Sequence, residues 1–342
     1  MRPHLRTLLV LALTVGLVAL FLRDADLAGV WRGVREGRLD LLALALVTTA
    51  LTYVIRAFRW RYLLAPIGTT RFWSAFQATV IGFAASFLLP ARAGEFLRPW
   101  VLARKEGLSA AAAFATIILE RLFDLIVVLV FLGGYLLLFD PGMASADPAV
   151  FAAVRAGGAV AAGAAAAALL LFMWLSRHRA ALDWVTQLVT RLLPHGLARR
   201  LVGLIELFAR GLAVLRDPRR VVAVLVWSVP LWVSIAAGIW LASRAFAIDI
   251  PFTGSFLMMA LLVVGVAVPT PGSVGGYHEA FRIGATSFFG APNDRAVGAA
   301  IVLHAISFVP VTIAGIVFMA REGLSLSRMR EISSRARVEE GA

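Results

Sequence analysis

Cysteine is absent from this 342-residue chain. That excludes a disulfide framework and a thiolate metal site, and it leaves the compartment unmarked by redox chemistry. Lysine is nearly absent: Lys105 is the only one, so arginine supplies almost all of the formal net charge of +13. Acidic residues are few, 20 against 33 basic ones. No Gly-Lys-Ser/Thr phosphate loop occurs, so no ATP drive is visible, and the GSVGG stretch (Gly272 to Gly276) lacks the form of a nucleophile elbow. What the chain has in excess is apolar: 61% of residues are hydrophobic and the mean hydropathy is +0.86, far from the composition of a soluble domain. The basic residues lie between apolar runs, which assigns them to membrane orientation and anionic headgroups rather than to nucleic acid.

A bilayer crossing needs about 20 apolar residues. Runs approaching or reaching that length lie at 7–22, 40–55, 72–89, 110–139, 151–175, 221–241, 252–268 and 296–320. Arg2 and Arg6 precede the first, as in a signal peptide, but no small-x-small cleavage site follows, so an uncleaved helix is expected. Segment 176–220 holds nine Arg against Asp183, Glu206 and Asp217. Its apolar residues Leu201, Leu204, Ile205, Phe208, Leu212 and Leu215 recur at helical spacing, which predicts an amphipathic helix on the cytoplasmic face. The stretch 140–149 has two Asp and no Arg and is expected outside. Both termini are basic and are expected inside, the tail 321–342 as a flexible extension. Arg32, Arg35 and Arg38, read as an outer loop, run against this rule.

Two apolar runs are broken by Pro and Gly. The first reads GFAASFLLPARAGEFLRPW from Gly82 to Trp100, the second GVAVPTPGSVGGYHEAFR from Gly265 to Arg282. Each break is followed by Glu with Arg three residues later: Glu95 and Arg98, Glu279 and Arg282. Broken backbone at membrane depth is tolerated only inside protein or along a wet cavity, and paired broken segments point to a transport site. Arg56, Arg59 and Arg61 are read as the inner end of the second span. Charge parity then makes 72–108 a hairpin that enters and leaves on the cytoplasmic side, and 252–290 one that enters and leaves outside. The expected fold is an all-α polytopic membrane protein, one domain over 1–342, with about six spanning helices and two oppositely oriented re-entrant hairpins in an inverted repeat. A version in which each hairpin is two full crossings keeps the same parity.

The charged residues near the breaks are candidates for a headgroup site, because charge at membrane depth is costly and marks pathways or partners. Arg92 and Arg98 have the planar fork that suits phosphate; Glu95 and Arg98 also read as a plain salt bridge at a helix start. Glu120 and Asp124 share a helix face at i, i+4 beside Arg121, which predicts an internal ion network against the first hairpin; direct substrate contact or a coupling proton on Asp124 stays open. In the second break Pro269, Pro271, Gly272, Gly275 and Gly276 remove the ordinary helix and free backbone N–H groups for an anion, or else form only a kink. Tyr277, His278, Glu279 and Arg282 follow directly. His278 titrates near neutral pH in ordinary surroundings, although a lone His, like His304, is more often simply hydrogen-bonded. Arg155 reads as a snorkelling side chain.

LLPARAGEFLR, LERLFDL (Leu119 to Leu125) and VPTPGSVGGYHEAF together resemble the lysylphosphatidylglycerol synthase transmembrane, or flippase-like, family over almost the whole chain. Ser86, and Ser273 after Gly272, depart from the family's usual residues. The chain ends soon after its last run, so a stand-alone member without a soluble synthase domain is expected. The resemblance implies lipid translocation in a bacterial inner membrane, of an anionic phospholipid or a polyprenyl-linked lipid, with Arg92, Glu95, Arg98, Glu120, Arg121, Asp124 and the second break holding the headgroup. It implies no cofactor and no metal. The partners expected are the lipid itself and either a second copy of the chain or a separately encoded synthase. Two rivals stand beside it: an intramembrane polyprenyl-pyrophosphate phosphatase using Glu95, Glu279 and His278, and a non-catalytic membrane partner of a synthase or glycosyltransferase.

Overall fold

A computed structural model describes residues 27–89, 93–138, 148–268 and 270–323, with isolated positions between 15 and 22. Arg92, Pro269, the stretch 139–147, the tail from 324 and most of the run 7–22 lie outside the described residues. Within the described residues all regular structure is helix: α1 Leu27–Glu36, α2 Leu39–Leu64, α3 Phe72–Leu88, α4 Gly94–Glu106, α5 Ala110–Leu138, α6 Pro148–Arg177, α7 Arg179–Leu192, α8 His195–Gly211, α9 Pro218–Ala245, α10 Gly254–Ala267, α11 Gly276–Phe289 and α12 Asn293–Arg321.

Among the described residues four helices are long and apolar enough to cross a bilayer: α2, α6, α9 and α12. Helix α5 is as long, 29 residues, but carries Glu120, Arg121 and Asp124 in its first half. Helices α3 and α10 are apolar and shorter, and after its break each turns back into a return helix, α4 or α11. The 176–220 segment is two amphipathic helices, α7 and α8, with a short 3-10 turn at Leu212–Arg216. Asp217 then caps α9, accepting from Arg219 N–H, with Pro218 at the first helical position.

Two expectations are corrected. The presumed outer loop with Arg32 and Arg35 is helix α1, whose Val30 is buried beside the C-terminal end of α9 and the start of α12. Arg56 and Arg59 do not flank a span end: α2 continues to Leu64, and both side chains are buried inside the molecule. The reason is packing, because carboxylates on α5 stand opposite them and compensate their charge.

Each hairpin crosses glycine on glycine. A Cβ on Gly94 would lie 1.8 Å from the Gly82 carbonyl oxygen, and one on Gly276 would lie 2.5 Å from that of Gly265. The two arms approach this closely only because neither residue has a side chain. One buried core gathers around the first hairpin (Trp60, Ile81, Leu97, Leu119), another around the second (Phe246, Met258, Phe281, Val297). Helix α12 touches both. Its Phe308 ring lies 4.3 Å from Phe87 of α3 and 5.4 Å from Tyr277 of α11. Its Gly315 packs on Ala84. Just past its end, Glu322 pairs with Lys105 of α4, which also donates to Gln77 of α3 at 2.5 Å.

Candidate functional site

Arg56 and Arg59 sit three apart on α2 and so share a face, and Glu120 and Asp124 sit four apart on α5 and do the same. The structure sets these faces against each other. Arg56 Nη1 donates to Glu120 Oε1 and to Asp124 Oδ2, both at 3.2 Å. Arg59 Nη1 donates to Asp124 Oδ1 at 2.5 Å and to Ser228 Oγ at 2.8 Å. Arg98, from the return arm of the first hairpin, closes a two-pronged pair on Glu120 at 2.8 and 3.0 Å. Its guanidinium lies 4.0 Å above the Trp60 ring, a favourable stacking geometry. Trp232 Nε1 donates to Asp124 Oδ1 at 3.0 Å. Five charged residues from three helices are thus buried together, each holding others in place.

Arg121 and Glu95 form the open edge of this cluster, 3.6 Å apart and each only partly covered. Phe83 lies between Arg56 and Arg121, with the two guanidiniums 5.0 and 5.7 Å from its ring centre. Above them opens a cavity of about 1150 Å³. Its floor is Arg56, Glu95, Arg98, Arg121 and Asp124, its walls include Phe83, Phe87 and Phe308, and its far side is the second break at Thr270, Pro271, Ser273 and Tyr277.

The second break is built from backbone. Gly272 (φ 60°), Ser273 (φ 59°) and Gly275 (φ 88°) all take positive φ; Ser273 does so with a side chain, which is uncommon. Gly275 N–H donates to His278 Nδ1 at 3.2 Å, and His304 Nε2 lies 2.9 Å from the Gly272 carbonyl. The two imidazole rings are 4.5 Å apart. This pairing holds the break in shape from behind.

The cavity therefore joins Glu95, Arg98, Arg121, Asp124, Pro271 and Tyr277. Glu120 sits directly beneath Arg98. It does not join His278, Glu279, Arg282, Gly272, Gly275 or Gly276, which stand behind its wall. Glu279 and Arg282 pair with each other at 2.5 and 2.8 Å, and Arg282 also donates to Asn293 at 3.3 Å. Sequence reasoning missed Arg56, Arg59, Trp60, Phe83 and Trp232. The one hint in the sequence is the spacing of the two arginines, which puts both on one face of α2, but charge near the end of an apolar run reads equally as flanking charge. Among the described residues no three His, Asp or Glu converge in a way that would hold a metal.

Residues 7–315 match the family described as the lysylphosphatidylglycerol synthase TM region. Among characterised proteins, the chain is similar to glycosyltransferase AglD of Haloferax volcanii, 23% identical over 358 residues, which covers 97% of this chain and 56% of the relative. The chain thus spans about half the length of that relative.

Proposed function

This chain belongs to the lysylphosphatidylglycerol synthase TM-region family, and from that premise we propose that it moves a lipid with an anionic or polyprenyl-linked headgroup between the leaflets of an inner membrane. The observation that carries this reading is the cavity of about 1150 Å³ between the two broken segments, charged on its floor and apolar on its walls. A headgroup rests on the arginines while its chains stay among apolar residues and lipid. Cavities of roughly 300–1,000 Å³ hold whole small ligands, so this one has room for a headgroup and the start of its chains. In this reading the first hairpin opens toward the cytoplasm, the second toward the outside, and α5 and the run 7–22 join the four apolar helices as spans, with both termini inside.

The expected result is that purified protein in liposomes transfers a fluorescent anionic lipid between leaflets and releases no phosphate from polyprenyl pyrophosphate, with or without divalent metal. Arg98→Lys keeps the charge but loses the fork, and slows transfer at least about tenfold. Arg219→Lys, at an exposed position, changes little. Phosphate release would replace the carrier by a phosphatase. The name of the similar archaeal protein favours a second reading, a non-catalytic membrane partner for glycosyl transfer. Absence of both lipid movement and phosphate release, with copurification of a transferase, would select it.

A further inference from the structure

Only His178 separates the last residue of α6, Arg177, from the first of α7, Arg179. Helix α6 is long and apolar enough to cross a bilayer. Its last turn carries an exposed tryptophan, Trp174, and then an exposed cation, Arg177. Aromatic and then cationic is the order in which a span leaves hydrocarbon for headgroups. A one-residue link leaves α7 no room to depart from that level, so α7 starts at the membrane boundary. The segment rejoins a second apolar span at Pro218, the first residue of α9.

The two helices of this segment use their apolar faces differently. From α8 and the turn after it, Phe208, Leu212, Val214 and Leu215 pack into the core around the first hairpin. Gly211 lies so close to α5 that a Cβ there would stand 2.3 Å from the Ala112 carbonyl oxygen. Part of the apolar repeat seen in the sequence over Leu201 to Leu215 is thus consumed inside the molecule. Among the described side chains of α7 none belongs to a buried core. Trp184, Leu188 and Leu192 recur every fourth residue on one stripe of α7 and are exposed by 64, 40 and 71%. Arg191, three residues past Leu188, borders the stripe and is exposed, while Asp183, Gln187 and Thr190 are exposed on another face. A contiguous apolar stripe left in the open marks a surface that meets something. What it meets is indicated by charge and position. Arg199 and Arg210 on α8 are exposed as well, and 176–220 holds nine Arg against three acids. A basic amphipathic helix with Trp and Leu on its apolar side fits an anionic leaflet, and a leaflet is what the short link to α6 puts beside it.

We propose that α7 is an anchor lying in the leaflet where α6 ends, with Trp184, Leu188 and Leu192 among the upper acyl chains and Arg191 among the phosphates of anionic lipids. The lipid concerned is the surrounding leaflet, and no residue of the cavity takes part, so the proposal stands apart from the carrier reading. Because α8 is wedged against the start of α5, the anchor fixes the level of that charged helix relative to the leaflet.

A chain without cysteine makes the test direct. Full-length protein carrying Leu188→Cys or Gln187→Cys is labelled with an environment-sensitive nitrobenzoxadiazole dye. It is placed in nanodiscs of phosphatidylcholine with about one part in four phosphatidylglycerol. Nitroxide on the lipid chains and iodide in the water are then used in turn as quenchers. Chain nitroxide is expected to quench the dye at 188 at least about threefold more than at 187, and iodide to give the reverse order. Leu192→Cys repeats the reading one turn on, so that a local disturbance at 188 does not decide the outcome. Equal quenching at the two faces, or iodide reaching 188 and 192 best, overturns the proposal: the stripe then faces water and awaits a separate protein. Shielding of 188 and 192 from both quenchers overturns it in favour of a second copy of the chain. Omitting phosphatidylglycerol, or adding Arg191→Gln, is expected to lower nitroxide quenching at 188 by about half or more. No change in either case overturns the assignment to anionic lipid.

Discussion

The two hairpins carry the same local pattern, glutamate and then arginine three residues on, and use it in opposite ways. In the second, Glu279 and Arg282 close on each other. In the first, Glu95 and Arg98 turn apart: Glu95 faces Arg121, and Arg98 reaches across to Glu120 on α5. Nothing in the two local sequences dictates this. The difference lies in what stands opposite, a buried carboxylate pair in one case and Asn293 in the other. The two hairpins thus repeat a local backbone pattern without repeating its chemistry. The first hairpin brings charge to the cavity, and the second brings a backbone break and neutral hydroxyls.

The widest effect that would break this comparison is sidedness. Single cysteines at exposed Ala110 and exposed Arg295, the first beyond one hairpin and the second beyond the other, are expected to react with an impermeant maleimide from opposite faces of intact vesicles. Labelling from one face would end the inverted pairing. Next comes charge. Glu120→Gln leaves three buried arginines poorly compensated and is expected to destabilise by about 3–5 kcal/mol. Glu279→Gln can still accept from Arg282, whose own side chain is partly exposed, and is expected to cost only ~1–2 kcal/mol. Thermal unfolding in detergent compares them, and equal losses would mean that the two pairs are equivalent after all. Smallest is the glycine crossing. Gly94→Ala drives a methyl into backbone at 1.8 Å and Gly276→Ala at 2.5 Å. Costs of about 3 kcal/mol and about 1–2 kcal/mol are expected, read by the same unfolding. A reversed order would show the second crossing to be the more rigid.

Much of this fold was legible because membrane helices announce themselves by length and apolarity. Helices α2, α6, α9 and α12 lie where the apolar runs lie, and both breaks fall where Pro and Gly interrupt them. The contact between α5 and the first hairpin was also legible, since Glu120 and Asp124 share a face that must meet cations. Two things were not. Arg56 and Arg59 look like cytoplasmic flanking charge to any rule that counts arginines near the end of a run, and only the facing carboxylates of α5 reveal them as buried. His278, Glu279 and Arg282 follow the second break so closely that they read as its lining. The turn at Gly275 instead sends them behind the wall, which is a matter of dihedral angles rather than of residue type. Ser273 has the same lesson in small: its φ of 59° is glycine's territory, and the sequence alone shows only a serine.

The closing helix has a mechanical consequence. One rod bears on both hairpins: His304 presses against the second, Phe308 touches both, Gly315 lies on the first, and the residue just beyond its end is pinned to Lys105. Pro310 falls just past the ring that the two hairpins share, where it lacks an N–H and leaves the helix one rung short. The rod is therefore jointed beside its shared bearing, so tilting one half need not drag the other by the same amount.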